Sequence, residues 1–445
     1  MIPPVLKEIH KELKRAGATH VLLVGGAVRD IILGSPVSDF DTEIFGMNLE
    51  DIMTVLRKFG NPELVGESFG VIKLRTGERC YDFSIPRTEQ KTGAGHKGFS
   101  VTINPDMDIV TAASRRDFTM NSMALEDGNL IDPFHGESDL RAGILRHTSD
   151  AFAEDPLRVL RGMQFAGRFD LEATPSTIEI SRSLACHFQE IAGERVFVEF
   201  CKWARGSKVP SAGLRFLKKS GWIECFPDLA AMVKTSQNPL YHQEGSVWNH
   251  TSVVVDRMAV ILDGEGVVDR LALMFAALLH DVGKPVSTQE IEGEISSRGH
   301  AQVGAGIAES FLRGMRAPVD LVAKVGSLVR EHMSPRTDLS PRAIRRLSRR
   351  LSPATIREFL MLKGADRGGL DVDNEKFLSI ANSLHLADEP PKPILMGRHL
   401  LDLMSPGPDM GKILRTVFEM QIDDEVGTVE EGLVVAKKLI MELDS

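Results

Sequence analysis

The segment Val21-Leu-Leu-Val24-Gly25-Gly26 constrains this chain more than any other. Four apolar residues make a short buried strand. The paired glycines then turn it sharply, with no Cβ to keep a phosphate away from the backbone amides. Arg29 and Asp30 follow, and Asp39-Phe-Asp41 sets two carboxylates two residues apart. On a strand that spacing aims both at one face. Paired carboxylates beside a phosphate cradle suit hard divalent cations and metal-assisted phosphoryl transfer. A solvated surface turn accounts for either piece alone, and their coincidence favours the catalytic reading.

A chain of 445 residues has room for about three domains. With 42% hydrophobic and 26% charged residues it is not disordered throughout. The longest clean apolar run, Leu271 to Leu279, is too short for a bilayer, so no membrane is expected as a partner. The N-terminal stretch reads as a short amphipathic helix without the apolar core of a signal peptide. Cys80, Cys186, Cys201 and Cys225 show neither CxxC pairing nor zinc spacing, so reduced thiols in a cytoplasm are expected. The net charge of −9 argues against blanket nucleic-acid binding but leaves room for a local basic surface.

Residues 1 to about 140 alternate strands, turns and helices, with strands expected at 20–24, 40–45, 70–75, 80–85 and 130–132. The polar, glycine-rich stretch 87–98 reads as a mobile loop. Helical periodicity runs from about 143 to 235, including Pro156–Phe169 and Arg195–Ala204. A second helical block at 246–370 holds most of the histidines. The Pro-rich stretch from Pro390 opens a tail that ends in two short helices.

Three more segments sharpen the picture. Arg115-Arg116-Asp117 precedes Asn121; Ile131-Asp132-Pro133-Phe134-His135-Gly136 is a strand ending in a fixed turn; Glu154-Asp155-Pro156 opens a helix carrying Arg158 and Arg161. Asp155, Arg158 and Arg161 recur at three-residue intervals. An Asp acceptor beside an Arg donor can read a base edge, and a second Arg can meet phosphate.

Taken in order, these motifs resemble the class II tRNA nucleotidyltransferases, which comprise the CCA-adding enzymes and their bacterial poly(A) polymerase relatives. The resemblance spans residues 20 to about 235. It implies an α+β multidomain fold: a polymerase-β-like head with a mixed sheet at 1–142, a helical neck at 143–205 and a helical body at 206–245. It further implies that Gly25, Gly26 and Arg29 contact the triphosphate, and that Asp39 and Asp41 are catalytic and bind Mg²⁺, with Asp82 as a third carboxylate. Arg116, Asp117 and Asn121 would handle ribose and phosphates, while Asp155 and Arg158, with Arg161 nearby, would template the incoming base. Glu194-Arg195 through Glu199 resembles the neck motif that braces that helix. Gln164 stands where many relatives carry another Arg.

In the second helical block, Leu271 through Leu279 forms an apolar helix that delivers His280-Asp281 at its end, closed by Gly283. With His250 and Asp366, the set resembles the HD phosphohydrolase superfamily. That likeness implies an all-α HD domain at 246–370, followed by a helical tail at 371–445, and a divalent transition metal at the site. His300 and His332 either extend the site to a second metal or are ordinary helix-face histidines. Arg342, Arg345, Arg346 and Arg349 share a helical face suited to a phosphate backbone. The expected activity is template-independent addition of CCA to tRNA from CTP and ATP, with an HD phosphohydrolase activity beside it. The alternatives are a CC-adding, A-adding or poly(A) polymerase sibling, or an HD phosphohydrolase whose head binds nucleotide.

Overall fold

The computed structural model describes residues 2–65, 70–91, 99–239, 243–266, 268–291, 294–369 and 372–443. They pack as two compact units, Met1–Cys225 and Phe226–Ser445.

The first unit is built on strands β1 (His20–Val24), β2 (Phe40–Phe45), β3 (Asn61–Val65), β4 (Val71–Thr76), β5 (Arg79–Ser84), β6 (Arg87–Lys91), β7 (Phe99–Ile103), β8 (Ala124–Glu126) and β9 (Asn129–Ile131). Seven of these form one mixed sheet in the order β3-β4-β5-β2-β1-β8-β9, and β6 pairs with β7 in a separate two-stranded sheet. β2 and β5 run parallel and the other neighbours antiparallel. The expected strands 20–24 and 40–45 form with those bounds; the next three shift by about one residue.

Strands β3 and β8 escape the sequence reading. One is an edge strand interrupted by Pro62, and the other is only three residues long. The stretch expected as a mobile loop contributes β6 at Arg87–Lys91, while its remainder, 92–98, lies outside the described residues. The N-terminal amphipathic helix forms at Pro4–Arg15 and buries Leu6, Ile9 and Leu13. On the opposite side, Leu22, Val24, Phe45, Met107, Ala112 and Ala124 share an apolar cluster.

Helix Leu157–Phe169 then packs against both Gly193–Gly206 and Pro210–Lys219. Its N-terminus is set by Asp155, whose Oδ1 accepts the Leu157 amide at 3.0 Å. Asp155 therefore stands just outside the helix, and only Arg158 and Arg161 lie on it.

The second unit centres on helix Arg270–Leu279, in which every residue from Ala272 to Leu279 is buried. Around it stand Val247–Ile261, Val319–Glu331 and Ile356–Arg367, and His300–Gly314 packs on Val319–Glu331. Gly283, which closes this segment, has a φ of −82°, outside the left-handed region. Its lack of a side chain serves packing instead: a Cβ would strike the carbonyl oxygen of His300. The C-terminal helices Pro408–Ile422 and Val429–Leu443 share their own apolar cluster of Leu395, Leu400, Met410, Ile413, Val417, Val426 and Ala436.

Candidate functional sites

In the first unit the turn between β1 and helix Gly26–Ile32 sits over the carboxylates of β2. Gly25 has φ +70°, and a Cβ there would lie 3.3 Å from Arg116 Nη1 and 3.8 Å from Asp41 Oδ2. Only glycine takes this turn without strain and without crowding the groups beneath it. Parallel pairing sets Asp41 directly opposite Asp82. Asp39 stands exposed one residue ahead of β2, and Glu43 continues the same strand alternation. Arg116 donates to Glu43 Oε2 at 3.2 Å, and Lys73 lies 3.6 Å from Asp82 Oδ2.

A cleft of about 330 Å³ opens here, lined by Val24, Asp41, Glu43, Asp82, Arg87, Arg115 and Arg116 among others. Partial burial raises the Asp41 pKa, and the negative charge of Asp82 and Asp39 raises it further, against the pull of Arg116. A site that accumulates carboxylate charge in this way fits a hard divalent cation. The sequence reading did not single out Glu43, although it follows Asp39 and Asp41 in the same period of two.

Arg29 is placed differently from the expectation. It is buried, donates to Asn121 Oδ1 at 2.7 Å and to Asp30 Oδ1 at 2.9 Å, and lies 4.6 Å from the Phe169 ring centroid. Its guanidinium is therefore held between the glycine turn and helix Leu157–Phe169, away from the cleft lining. Asp117 and Asn121 belong to the same buried network. Asp117 accepts from Arg161 Nε at 2.6 Å, Phe118 N at 2.8 Å and Asn121 Nδ2 at 2.9 Å. Burial works against the Asp117 carboxylate, yet Arg161 and these hydrogen bonds hold its pKa below the ordinary value.

Asp155 and Arg158 are clamped in place. Asp155 Oδ2 accepts from Arg195 Nη2 at 2.9 Å, and Arg158 donates to the carbonyls of Ala151 at 2.6 Å and Arg115 at 2.8 Å. That leaves most of the five Arg158 donors uncommitted, in a fixed orientation. Gln164 is buried within the helix.

In the second unit, His250, His280, Asp281 and Asp366 converge, and His300 and His332 join them. His250 Nε2 lies 2.9 Å from Asp366 Oδ1, and His280 Nε2 lies 3.2 Å from Asp281 Oδ2. The cross distances are 3.9 Å from His250 to Asp281 and 3.8 Å from His280 to Asp366. His280 Nδ1 is 2.9 Å from the Ala277 carbonyl, so Nε2 is left as a buried nitrogen with no hydrogen-bond partner. An imidazole oriented through Nδ1 with its other nitrogen aimed at carboxylates fits a transition-metal ligand. Glu244 stands 3.3 Å from His250 Nδ1, and Lys284 bridges Asp281 Oδ2 at 2.7 Å and Gln237 Oε1 at 2.6 Å. The sequence reading missed Glu244, Gln237 and Lys284. Lys284 is three residues past Asp281, and that helical spacing is the signal that was available.

The arginines expected to face RNA are committed elsewhere. Arg342 and Arg346 each make two hydrogen bonds to Asp423, Arg345 pairs with Asp424, and Arg349 pairs with Glu419. Their partners lie some seventy to eighty residues further along the chain, beyond the reach of the helix's own pattern.

A glycine turn over carboxylates on a mixed sheet, joined to a helical unit with a His/Asp cluster, defines a nucleotidyltransferase head with an HD domain. Residues 21–146 match the poly A polymerase head domain, and residues 247–360 match the HD domain. The multifunctional CCA protein of Nitrosococcus oceani is 34% identical over 385 residues, covering 82% of this chain and 89% of its own. That of Hahella chejuensis is 36% identical over 303 residues, covering 66% and 68%. This chain belongs to the family of the multifunctional CCA proteins.

The fold is also similar to solved structures. The Bacillus stearothermophilus CCA-adding enzyme in complex with CTP has a TM-score of 0.68 at 21% identity and full coverage of both chains. The Thermotoga maritima CCA-adding enzyme complexed with tRNA has a TM-score of 0.58 at 19% identity, covering 99% and 96%. No helix among the described residues is long and apolar enough to cross a membrane.

Proposed function

We propose that this protein completes the 3′ end of tRNA in the cytoplasm, adding C, C and A from CTP and ATP without a nucleic-acid template. The observation that carries the reading is the in-register pair Asp41 and Asp82 beside the Gly25 turn, at the floor of a cleft that Arg116 lines. Relatives named multifunctional CCA proteins and structures of CCA-adding enzymes with CTP and with tRNA support the same activity. Mg²⁺ held by Asp39 and Asp41, with Asp82 in support, would neutralise the triphosphate and acidify the primer 3′-hydroxyl.

The amides of Gly25 and Gly26 cradle phosphate, and Arg116 exchanges Glu43 for the triphosphate. Asp155 and Arg158 read the base edge from the positions in which Arg195 and two carbonyls hold them. A base lacking the matching group leaves a polar atom unpaired, at a cost of about 1–3 kcal/mol. Arg29, Asp117, Asn121 and Arg161 act as the frame that ties the turn to the base-reading helix. In the HD domain, His250, His280, Asp281 and Asp366 would hold a transition metal, which would supply an activated water for hydrolysis of phosphomonoesters or cyclic phosphodiesters.

The test is extension of tRNA transcripts ending before CCA, after C or after CC, with CTP, ATP or both. Stepwise growth that stops at CCA is expected. Addition of CC alone, of A alone, or of a long A ladder assigns a sibling activity, and no extension with Mg²⁺ refutes the head assignment.

A further inference from the structure

The central strands of the first unit's sheet bury one face. Phe40, Thr42 and Ile44 of β2, Ile72 and Leu74 of β4, and Tyr81 and Phe83 of β5 are all buried. The residues between them, Asp41 and Glu43, Lys73 and Arg75, Cys80 and Asp82, stand on the opposite face. There the pairing registers make a row, in which Asp41 opposes Asp82 and Asp82 opposes Lys73. Arg75 opposes Cys80, two residues before Asp82, as Asp39 stands two residues before Asp41. The carboxylates of β2 therefore have a pair of cations two strands away, at about 10 Å for a strand spacing of about 4.8 Å.

The fold gives neither cation a strong partner. Lys73 is 46% exposed and lies 3.6 Å from Asp82 Oδ2. Arg75 is exposed and makes no ion pair or side-chain hydrogen bond among the described residues. Glu63 opposes Lys73 from β3 without pairing with it. Val71, two residues before Lys73 on the same strand face, lines the cleft, so the cations continue from its wall.

Strand order decides which phosphate they meet. The Gly25 turn follows β1, which flanks β2 on one side, while β5 and β4 lie on the other. With the triphosphate on the glycine turn, pyrophosphate departs on the β1 side. In-line displacement sets the attacking hydroxyl on the far side of the reacting phosphorus from that leaving group. The RNA strand carrying the 3′-hydroxyl then approaches over β5 and β4.

We propose that Lys73 and Arg75 seat the backbone of the RNA primer, meeting the phosphates just behind its 3′-hydroxyl. This rests on the nucleotidyl-transfer reading of the cleft. Contacts to phosphate carry no sequence information, so the seat serves all three additions alike and leaves base choice to Asp155 and Arg158.

The experiment makes Arg75→Gln and Lys73→Gln separately in the full chain and follows tRNA extension at several salt concentrations. Each substitution should raise the KM for tRNA about three- to tenfold, equally for transcripts ending before CCA, after C and after CC, with the KM for CTP and ATP unchanged. The logarithmic salt slope of kcat/KM for tRNA should become shallower by about 0.7–1. Lys73→Arg, which keeps the charge, should keep the parent KM. Neutral methylphosphonates at the last two linkages of the primer should raise the KM of the parent, and neither Gln substitution should add to that rise. An effect that persists in full on the neutral primer overturns the seat, and so does a KM for tRNA unchanged in both variants. A rise in the KM for CTP and ATP alone assigns the cations to the triphosphate and equally overturns it. A parent that extends no transcript with Mg²⁺ refutes the transferase reading itself, and the seat falls with it.

Discussion

Replacing Asp117 with Asn tests whether the buried network frames the nucleotidyltransferase unit. The amide oxygen can still accept from Phe118 N and Asn121 Nδ2, but an NH₂ now meets Arg161 Nε–H where a carboxylate oxygen accepted at 2.6 Å. A hydrogen bond to a charged group contributes about 1.5–3 kcal/mol, and breaking a buried ion pair costs about 3–5 kcal/mol. The Arg161 side chain is 33% exposed, which places the loss near the lower end, at about 3 kcal/mol. For a unit of this size that is a drop in melting temperature of roughly 6–12 °C. Tryptophan fluorescence, to which Trp203 and Trp222 of the same unit contribute, reads it.

The pH dependence gives an independent check. The folded pKa of Asp117 is depressed, so its stabilisation is full above the unfolded value of about 3.9 and fades as pH falls through the folded one. The gap between parent and D117N should therefore be widest near pH 7 and close toward pH 3. A gap below about 2 °C at pH 7, or one that widens in acid, refutes the role given to this network.

Asp41→Ala should lower the extension rate by about 10³-fold or more while leaving the melting temperature within about 2 °C, since a carboxylate whose pKa is raised in the fold does not stabilise it. Gly25→Ala should cost about 1–2 kcal/mol and raise the KM for both nucleotides, because it strains a φ of +70° and presses on Arg116; an unchanged KM counts against the cradle. Arg195→Ala releases one oxygen of Asp155 and should lower kcat/KM for CTP and ATP about tenfold, close to 1.4 kcal/mol, with the KM for tRNA unchanged. A matching rise in the KM for tRNA would place Arg195 in RNA binding instead.

What was legible in the sequence follows from how locally each feature is determined. β1 and β2 announce themselves through apolar runs bounded by glycine and by charge, and the HD helix through nine unbroken apolar residues. The edge strand Asn61–Val65 does not, because Pro62 and Glu63 weaken its pattern and only pairing with β4 makes it a strand. Asp41 and Asp82 could be named from their motifs, but their register belongs to a parallel pairing across forty residues. Arg29 shows the limit most clearly: its motif suggests a phosphate ligand, yet Asn121 and Phe169 capture it from far along the chain. Likewise, the ring nitrogens of His300 and His332 face each other at 3.2 Å only once the carbonyls of Ser297 and Val329 have fixed the two rings.

The arginine helix Pro341–Leu351 carries a consequence for how the protein responds to ionic strength. Its partner Asp423 is held down to about 2 by Arg342 and Arg346, so this carboxylate stays ionised throughout the physiological range. A polyanion arriving at this helix would displace Asp423, Asp424 and Glu419 rather than loosely held counterions. Counterion release is what makes nucleic-acid binding fall steeply with salt, so contacts made here would show a shallower salt slope than their number of arginines suggests. Salt itself weakens the exposed pairs, while the apolar cluster of the tail is indifferent to it. The tail is thus clasped by charge and folded by apolar packing, and the two respond to different conditions.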